Sequence, residues 1–201
     1  MSEANSVPFS KYFALDSEHV VAQTFWIVTF GLLTAVGAQI EIPHQPVPYT
    51  FQTFFVILAG AMLGRRNGFL SMLFYLTLGS LGAPVFAGAS FGLARVFGPT
   101  GGYLLSFPVA ALVIAYLVSM RPSIDFGGKA PFLGRIAGYG WTFGSLLTGL
   151  VLIFLLGTVQ LNLVYFHNWS ASFASGFLIF SWWDFLKLIA AVGIYHQFVR
   201  R

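Results

Sequence analysis

The fold of this chain is limited first by a succession of apolar runs, each closed by a short polar, proline-rich or glycine-rich connection. Six such runs can be read. They cover about Ala22–Ile40, Thr50–Leu63, Phe69–Phe86, Tyr103–Met120, Ile136–Leu156, and from Phe177 or Trp182 to Phe198. Charged residues are 8 % of the chain and hydrophobic ones 57 %, whereas a soluble domain carries about 25 % charge. A 201-residue soluble fold leaves too much surface wet to hide that much apolar side chain. The solvent is therefore lipid, and at about 20 residues per crossing the chain has room for roughly six helices. The expectation is an all-α, polytopic membrane protein with six transmembrane helices in one compact bundle. It reads as a single membrane domain over residues 1–201, with residues 1–20 a cytoplasmic N-terminal segment and residues 21–201 the bundle.

The connections fit that plan. The first run ends at EIPHQPVPYT, whose three prolines stop a helix and suit an extended crossing or turn. The second is short and stops at GRRNG, and the third breaks into AGASFGLARVFGPTGG. The N-terminus, MSEANSVPFSKYFALDSEHV, stays polar for too long to read as a signal peptide, so the first apolar run is expected to remain as a helix. The chain has no cysteine, which removes disulfide and thiol chemistry.

Orientation follows from the excess of Lys and Arg in cytoplasmic loops. With six crossings, Lys11, Arg65, Arg66, Arg121, Lys129, Arg135, Arg200 and Arg201 all fall on one side, eight of the ten basic residues. That side, with both termini, is expected to be cytoplasmic.

Two cations do not fit. Arg95 lies in the glycine-rich stretch after the third run, and Lys187 lies three residues after Asp184 in SWWDFLK at the start of the last. Asp184 and Lys187 share a helix face and can pair. The helix N-terminus there favours negative charge, from Asp184 or from an anionic ligand. A charge at mid-bilayer costs about 3 kcal/mol on insertion scales, so such residues usually face a cavity or a partner. A blander account is also available: Trp182 and Trp183 anchor the helix at the interface and the lysine snorkels. A guanidinium is a planar fork for a carboxylate. An outward-facing site of Arg95, Lys187 and Asp184 would suit a small molecule with one carboxylate and one polar head. Gly88, in the same glycine-rich stretch, would let a ligand approach the backbone.

Other chemistry is poorly supported. GPTGG lacks the Lys-Ser/Thr of a phosphate-binding loop, so the chain is not expected to hydrolyse ATP. His19, His44, His167 and His196 have no metal-site spacing, and no metal or cofactor is expected. Small residues recur at a spacing of four at Gly31/Ala35, Gly60/Gly64 and Ala111/Ala115. They permit close helix contact, inside the fold or with another membrane protein.

Several stretches carry a resemblance. PVPYTFQTFFVILAGAMLGRRNG, FYLTLGSLGAPVFAG and FGPTGGYLLSFP, followed by D-x-x-K at Asp184 and Lys187, resemble the BioY family, the biotin-binding membrane subunits of energy-coupling-factor transporters. The similarity spans most of residues 30–200. It implies a six-helix substrate-capture component that binds biotin on the outer side and works with a transmembrane coupling protein and ATPase subunits. It also implies Asp184, Lys187 and Arg95 as ligand contacts, with Phe86, Tyr103 and the tryptophans as apolar walls. Gly31 and Ala35 on the first helix stand where the family often has an alanine pair for docking. The sequence departs from the family pattern before D-x-x-K, where relatives often read PFLPGD and this chain reads IFSWWD, with Ile179, Trp182 and Trp183 bulkier at the mouth. Lys187→Ala is expected to cut biotin binding without unfolding the protein. The rival readings are a subunit for another small vitamin or carboxylate, and a ligand-free assembly subunit.

Overall fold

The structure is a computed structural model that describes residues 19–122, 131–179 and 182–198. The expected cytoplasmic segment 1–20 falls almost wholly outside the described residues, as do Lys11, Lys129, Arg200 and Arg201. Helix dominates. Helix α1 (Val20–Gln39) leads into a two-stranded antiparallel hairpin, β1 (Glu41–Ile42) and β2 (Tyr49–Thr50), with Glu41 opposite Thr50 and Ile42 opposite Tyr49. Then come α2 (Gln52–Ser80), the short α3 (Leu93–Val96), α4 (Gly101–Ser119) and α5 (Pro131–Leu161). A stretch of π-turns around α6 (Trp169–Ser172) precedes α7 (Trp182–Phe198).

The proline cluster thus folds as the hairpin, and the second and third apolar runs lie in one element. Gly64 divides α2 with φ +75°, a left-handed value that only glycine adopts without strain. The helix turns back there: Gly68 packs on the backbone of Ala59 and Gly60, and Gln52 reaches Tyr75. An unbroken helix would hold residues 52 and 75 about 35 Å apart. The two limbs, residues 52–63 and 65–80, are therefore antiparallel neighbours. The third run was expected to reach Phe86, but its helix ends at Ser80, where Leu81 caps it by bonding back to Thr77 O. Pro131 opens α5, where a missing N–H removes no helical bond.

Three helices are long and apolar enough to cross a membrane among the described residues: Val20–Gln39, Gly101–Ser119 and Phe132–Phe166, the last running on through a π-turn. The outward faces are apolar. Leu32 and Val36 on α1, Leu105 and Val109 on α4, Leu155 and Val159 on α5 and Ile189 on α7 are all exposed, which suits lipid.

Inside, α2 packs on α1 and α4, and α4 on α5. Small residues set these contacts. A Cβ on Gly60 would lie 2.7 Å from Ala111 O, and one on Gly31 would lie 3.2 Å from Ser71 O. The Gly60 and Ala111 motifs therefore meet each other, bringing α2 and α4 close. Gly31 is buried against the second limb of α2, and Ala35 is half-buried against the core. Gly31 is thus used inside the fold, Ala35 is only partly covered, and the rest of the surface that α1 leaves open includes a large aliphatic stripe.

The two ends of the bundle differ. At one, Arg65 donates to Ser119 Oγ at the end of α4 and covers the ring of Tyr116, and Arg121 lies against Gly138. The opposite end, where α4 begins, holds the hairpin and the cavity.

Candidate functional site

The cavity is assembled from distant parts of the chain. The hairpin supplies Val47, Pro48, Tyr49 and Thr50, and the first turn of α2 adds Gln52 and Thr53. Phe86, Ala87 and Arg95 come from the glycine-rich stretch, Tyr103, Leu104 and Phe107 from α4, and Ile153 and Phe154 from α5. Thr100, just before α4, Ile179 and, on α7, Asp184 and Lys187 complete it. Aromatic walls with a few convergent polar groups are the usual build of a small-molecule site.

Asp184 sits in the first turn of α7, where the helix dipole favours a carboxylate. Lys187 donates to Asp184 Oδ1 at 2.8 Å, to Thr50 O at 2.8 Å and to Thr53 Oγ1 at 3.1 Å. Both charged side chains are only 4 % exposed. An ammonium has three donors, and all three are taken by the protein. Lys187 therefore ties α7 to the hairpin and to the start of α2, and no snorkelling conformation is seen.

Arg95 is held differently. Its Nε donates to Ser90 Oγ at 2.8 Å, and Ser90 in turn donates to Ala87 O. A bridge between Phe86 and Ser90 closes this small loop. The terminal nitrogens of Arg95 meet no acceptor, and its charge meets no carboxylate, among the described residues. With Lys187 paired to Asp184, the formal charge left over among the cavity's described residues is the half-buried Arg95 guanidinium.

Of the residues expected at a site, Asp184, Lys187, Arg95, Phe86 and Tyr103 line this one cavity, although they come from three separate segments. Gly88 does not line it. It occupies a turn at φ +67° beside Ala87, where a Cβ would approach Glu41 Oε1 at 3.5 Å. The tryptophans are not its walls either: Trp182 is 72 % exposed, and Trp183 packs towards Phe51. Phe107, Phe154 and Ile153 take that place. Of Ile179, Trp182 and Trp183, the departures named before D-x-x-K, only Ile179 reaches the cavity.

Sequence reasoning missed the hairpin residues and the start of α2. The available signal was the run of polar side chains in YTFQT, set between a proline cluster and an apolar helix.

The model of the BioY family matches residues 8–201. The chain is 38 % identical over 162 residues to the biotin transporter BioY of Thermotoga maritima, covering 81 % of this chain and 86 % of that one. It is 41 % identical over 166 residues to the probable biotin transporter BioY of Pyrococcus horikoshii, covering 83 % and 89 %. Among solved structures, the S-component for biotin from an ECF-type ABC transporter superposes with a TM-score of 0.76. That match covers 90 % of this chain and 92 % of the other at 22 % identity, and it speaks for the fold. With the family model spanning nearly the whole chain and the relatives aligned across most of it, this chain belongs to the BioY family.

Proposed function

We propose that the chain captures biotin at the outer face of a bacterial cell membrane and serves as the substrate-specific subunit of an energy-coupling-factor transporter. One observation carries the reading. The cavity combines aromatic walls with a single uncompensated cation, Arg95, beside a neutralised Asp184–Lys187 pair. This suits a mono-anionic ligand with an apolar body and a polar ring. Biotin's carboxylate pairs with Arg95, because every donor of Lys187 is already engaged. A ureido N–H faces Asp184, the ureido carbonyl lies in the field of the Lys187 ammonium without a hydrogen bond to it, and Phe86 and Tyr103 pack on the apolar part of the ligand.

The chain acts as one membrane domain crossing six times, through α1, both limbs of α2, α4, α5 and α7. Both termini lie in the cytoplasm, on the side of Arg65 and Arg121. It has no ATPase of its own, so a transmembrane coupling protein and ATPase subunits supply the energy.

Equilibrium binding of labelled biotin to the purified protein tests this. Saturable binding that unlabelled biotin displaces, and that valerate does not, is expected. A well-folded protein that ignores biotin refutes the reading. Impermeant thiol labelling of cysteines introduced at either terminus of this cysteine-free chain reports the orientation: both should be protected in intact cells.

A further inference from the structure

Gln52 has no part in the pairing described above, yet it is 5 % exposed and lines the cavity at the first residue of α2. Its amide is oriented by a relay. The carbonyl of Val85 can only accept, and Tyr75 Oη donates to it at 3.2 Å. With its one proton spent, the phenol offers lone pairs alone. Gln52 Nε2 donates to it at 2.8 Å. The order Gln52 N–H to Tyr75 O–H to Val85 C=O therefore fixes which end of the amide is which. Tyr75 cannot drift, since it is fully buried between Phe86, which meets it edge-on at 5.5 Å, and Phe107, stacked at 6.3 Å. The other end of the amide, the carbonyl oxygen Oε1, receives no hydrogen bond from any described group. An acceptor on a cavity wall with no donor among the described residues marks a place for a ligand donor, because a ligand that covers it without donating leaves it desolvated and unpaired.

We propose that the side-chain carbonyl of Gln52 accepts a hydrogen bond from an N–H of the bound ligand, with Tyr75 as the positioning residue that stops the amide from turning over. The ligand class is a cyclic urea or lactam. A ring carrying oxygen, sulfur or an alkylated nitrogen at that position leaves Oε1 buried and unsatisfied, and is rejected. This rests on the biotin reading and deepens it. Biotin's ureido ring has two N–H groups, so Gln52 takes one and Asp184 the other. The cavity then reads both nitrogens through acceptors on opposite ends of the chain.

The test compares biotin with its two mono-N-methyl isomers on the full chain in detergent, for the parent, Gln52→Met and Tyr75→Phe. Methionine keeps the length of glutamine without its amide. The parent is expected to bind each isomer about 10- to 100-fold more weakly than biotin, the range for leaving one buried polar group unpaired. Gln52→Met is expected to lose a similar factor for biotin and to stop discriminating against one isomer, while keeping its preference against the other. Tyr75→Phe should lie between, because the freed amide can present either end. A folded Gln52→Met with the parent's affinity and discrimination overturns the proposal. So does a parent that binds either isomer as tightly as biotin, an outcome that needs no variant to fold. A parent that ignores biotin removes the functional reading and this inference together, whereas the other two results remove the inference alone.

Discussion

Replacing Lys187 by methionine separates what this residue does for the fold from what it does for the ligand. The ammonium makes three hydrogen bonds in a site where it and Asp184 are each 4 % exposed. Removing one member of such a pair strips the carboxylate of its cation and typically costs about 3–5 kcal/mol, whereas replacing both members by neutral groups is often nearly neutral. For a chain of this size about 1 kcal/mol moves the melting temperature by about 2–4 °C, so Lys187→Met should melt about 6–20 °C below the parent. Asp184→Asn/Lys187→Met should recover most of that loss and still bind biotin weakly, since neither charge remains for the ureido ring. The sequence-based expectation is that removing the lysine cuts biotin binding without unfolding the protein, and the structure adds that the loss should still lower the melting temperature. The assay is thermal unfolding in detergent followed by intrinsic fluorescence, alongside biotin titration of all three proteins. A single variant that melts with the parent would refute the structural tie. A double variant with parental affinity would remove the pair from the ligand site.

Arg95→Gln deletes the uncompensated charge and should weaken biotin by about 30- to 1,000-fold, in line with truncating one side of a buried charged contact. Biotin amide, which brings no charge, should lose far less. Equal losses for the two ligands would place the carboxylate elsewhere. Gly157→Ala sets a methyl against the Tyr103 ring, whose hydroxyl is tied to Gly176 O at 2.9 Å. Overpacking of about 1–3 kcal/mol should shift that cavity wall and lower biotin affinity roughly 5- to 100-fold; an unchanged titration would show that the wall does not bear on the ligand.

Charge scarcity made the lipid-facing character legible, and glycine and proline marked most of the breaks. What stayed hidden was geometry that depends on partners far away in sequence. Nothing local in EIPHQPVPYT shows that Tyr49 and Thr50 pair with Ile42 and Glu41 and roof a cavity. Nor does GRRNG reveal that the chain reverses at Gly64, because a positive φ at one glycine cannot be told from an ordinary loop by composition. The tryptophans misled for a physical reason: their size suggests a wall, but their amphipathic rings favour the interface, and Trp182 is exposed accordingly. Gln52 escaped notice because an amide carries no charge to count.

The two cations that broke the charge rule turn out to be unlike one another, and the proposed anion site rests on that difference. Lys187 bonds across 137 positions of sequence to Thr50 O, joining the first third of the chain to the last helix, so this wall of the cavity forms only once α7 has docked. Its charge is answered within the protein. Among the described residues Arg95 is answered only at Nε, by Ser90, which closes a five-residue loop with Phe86. A bilayer penalises both residues for being charged, but among the described residues only one of them finds a counter-charge. On the proposed reading a bound carboxylate compensates the other, the ligand supplying a counter-charge that the described fold leaves out. Charge counting could find both residues; telling the tie from the receptor took the hydrogen bonds that each one makes.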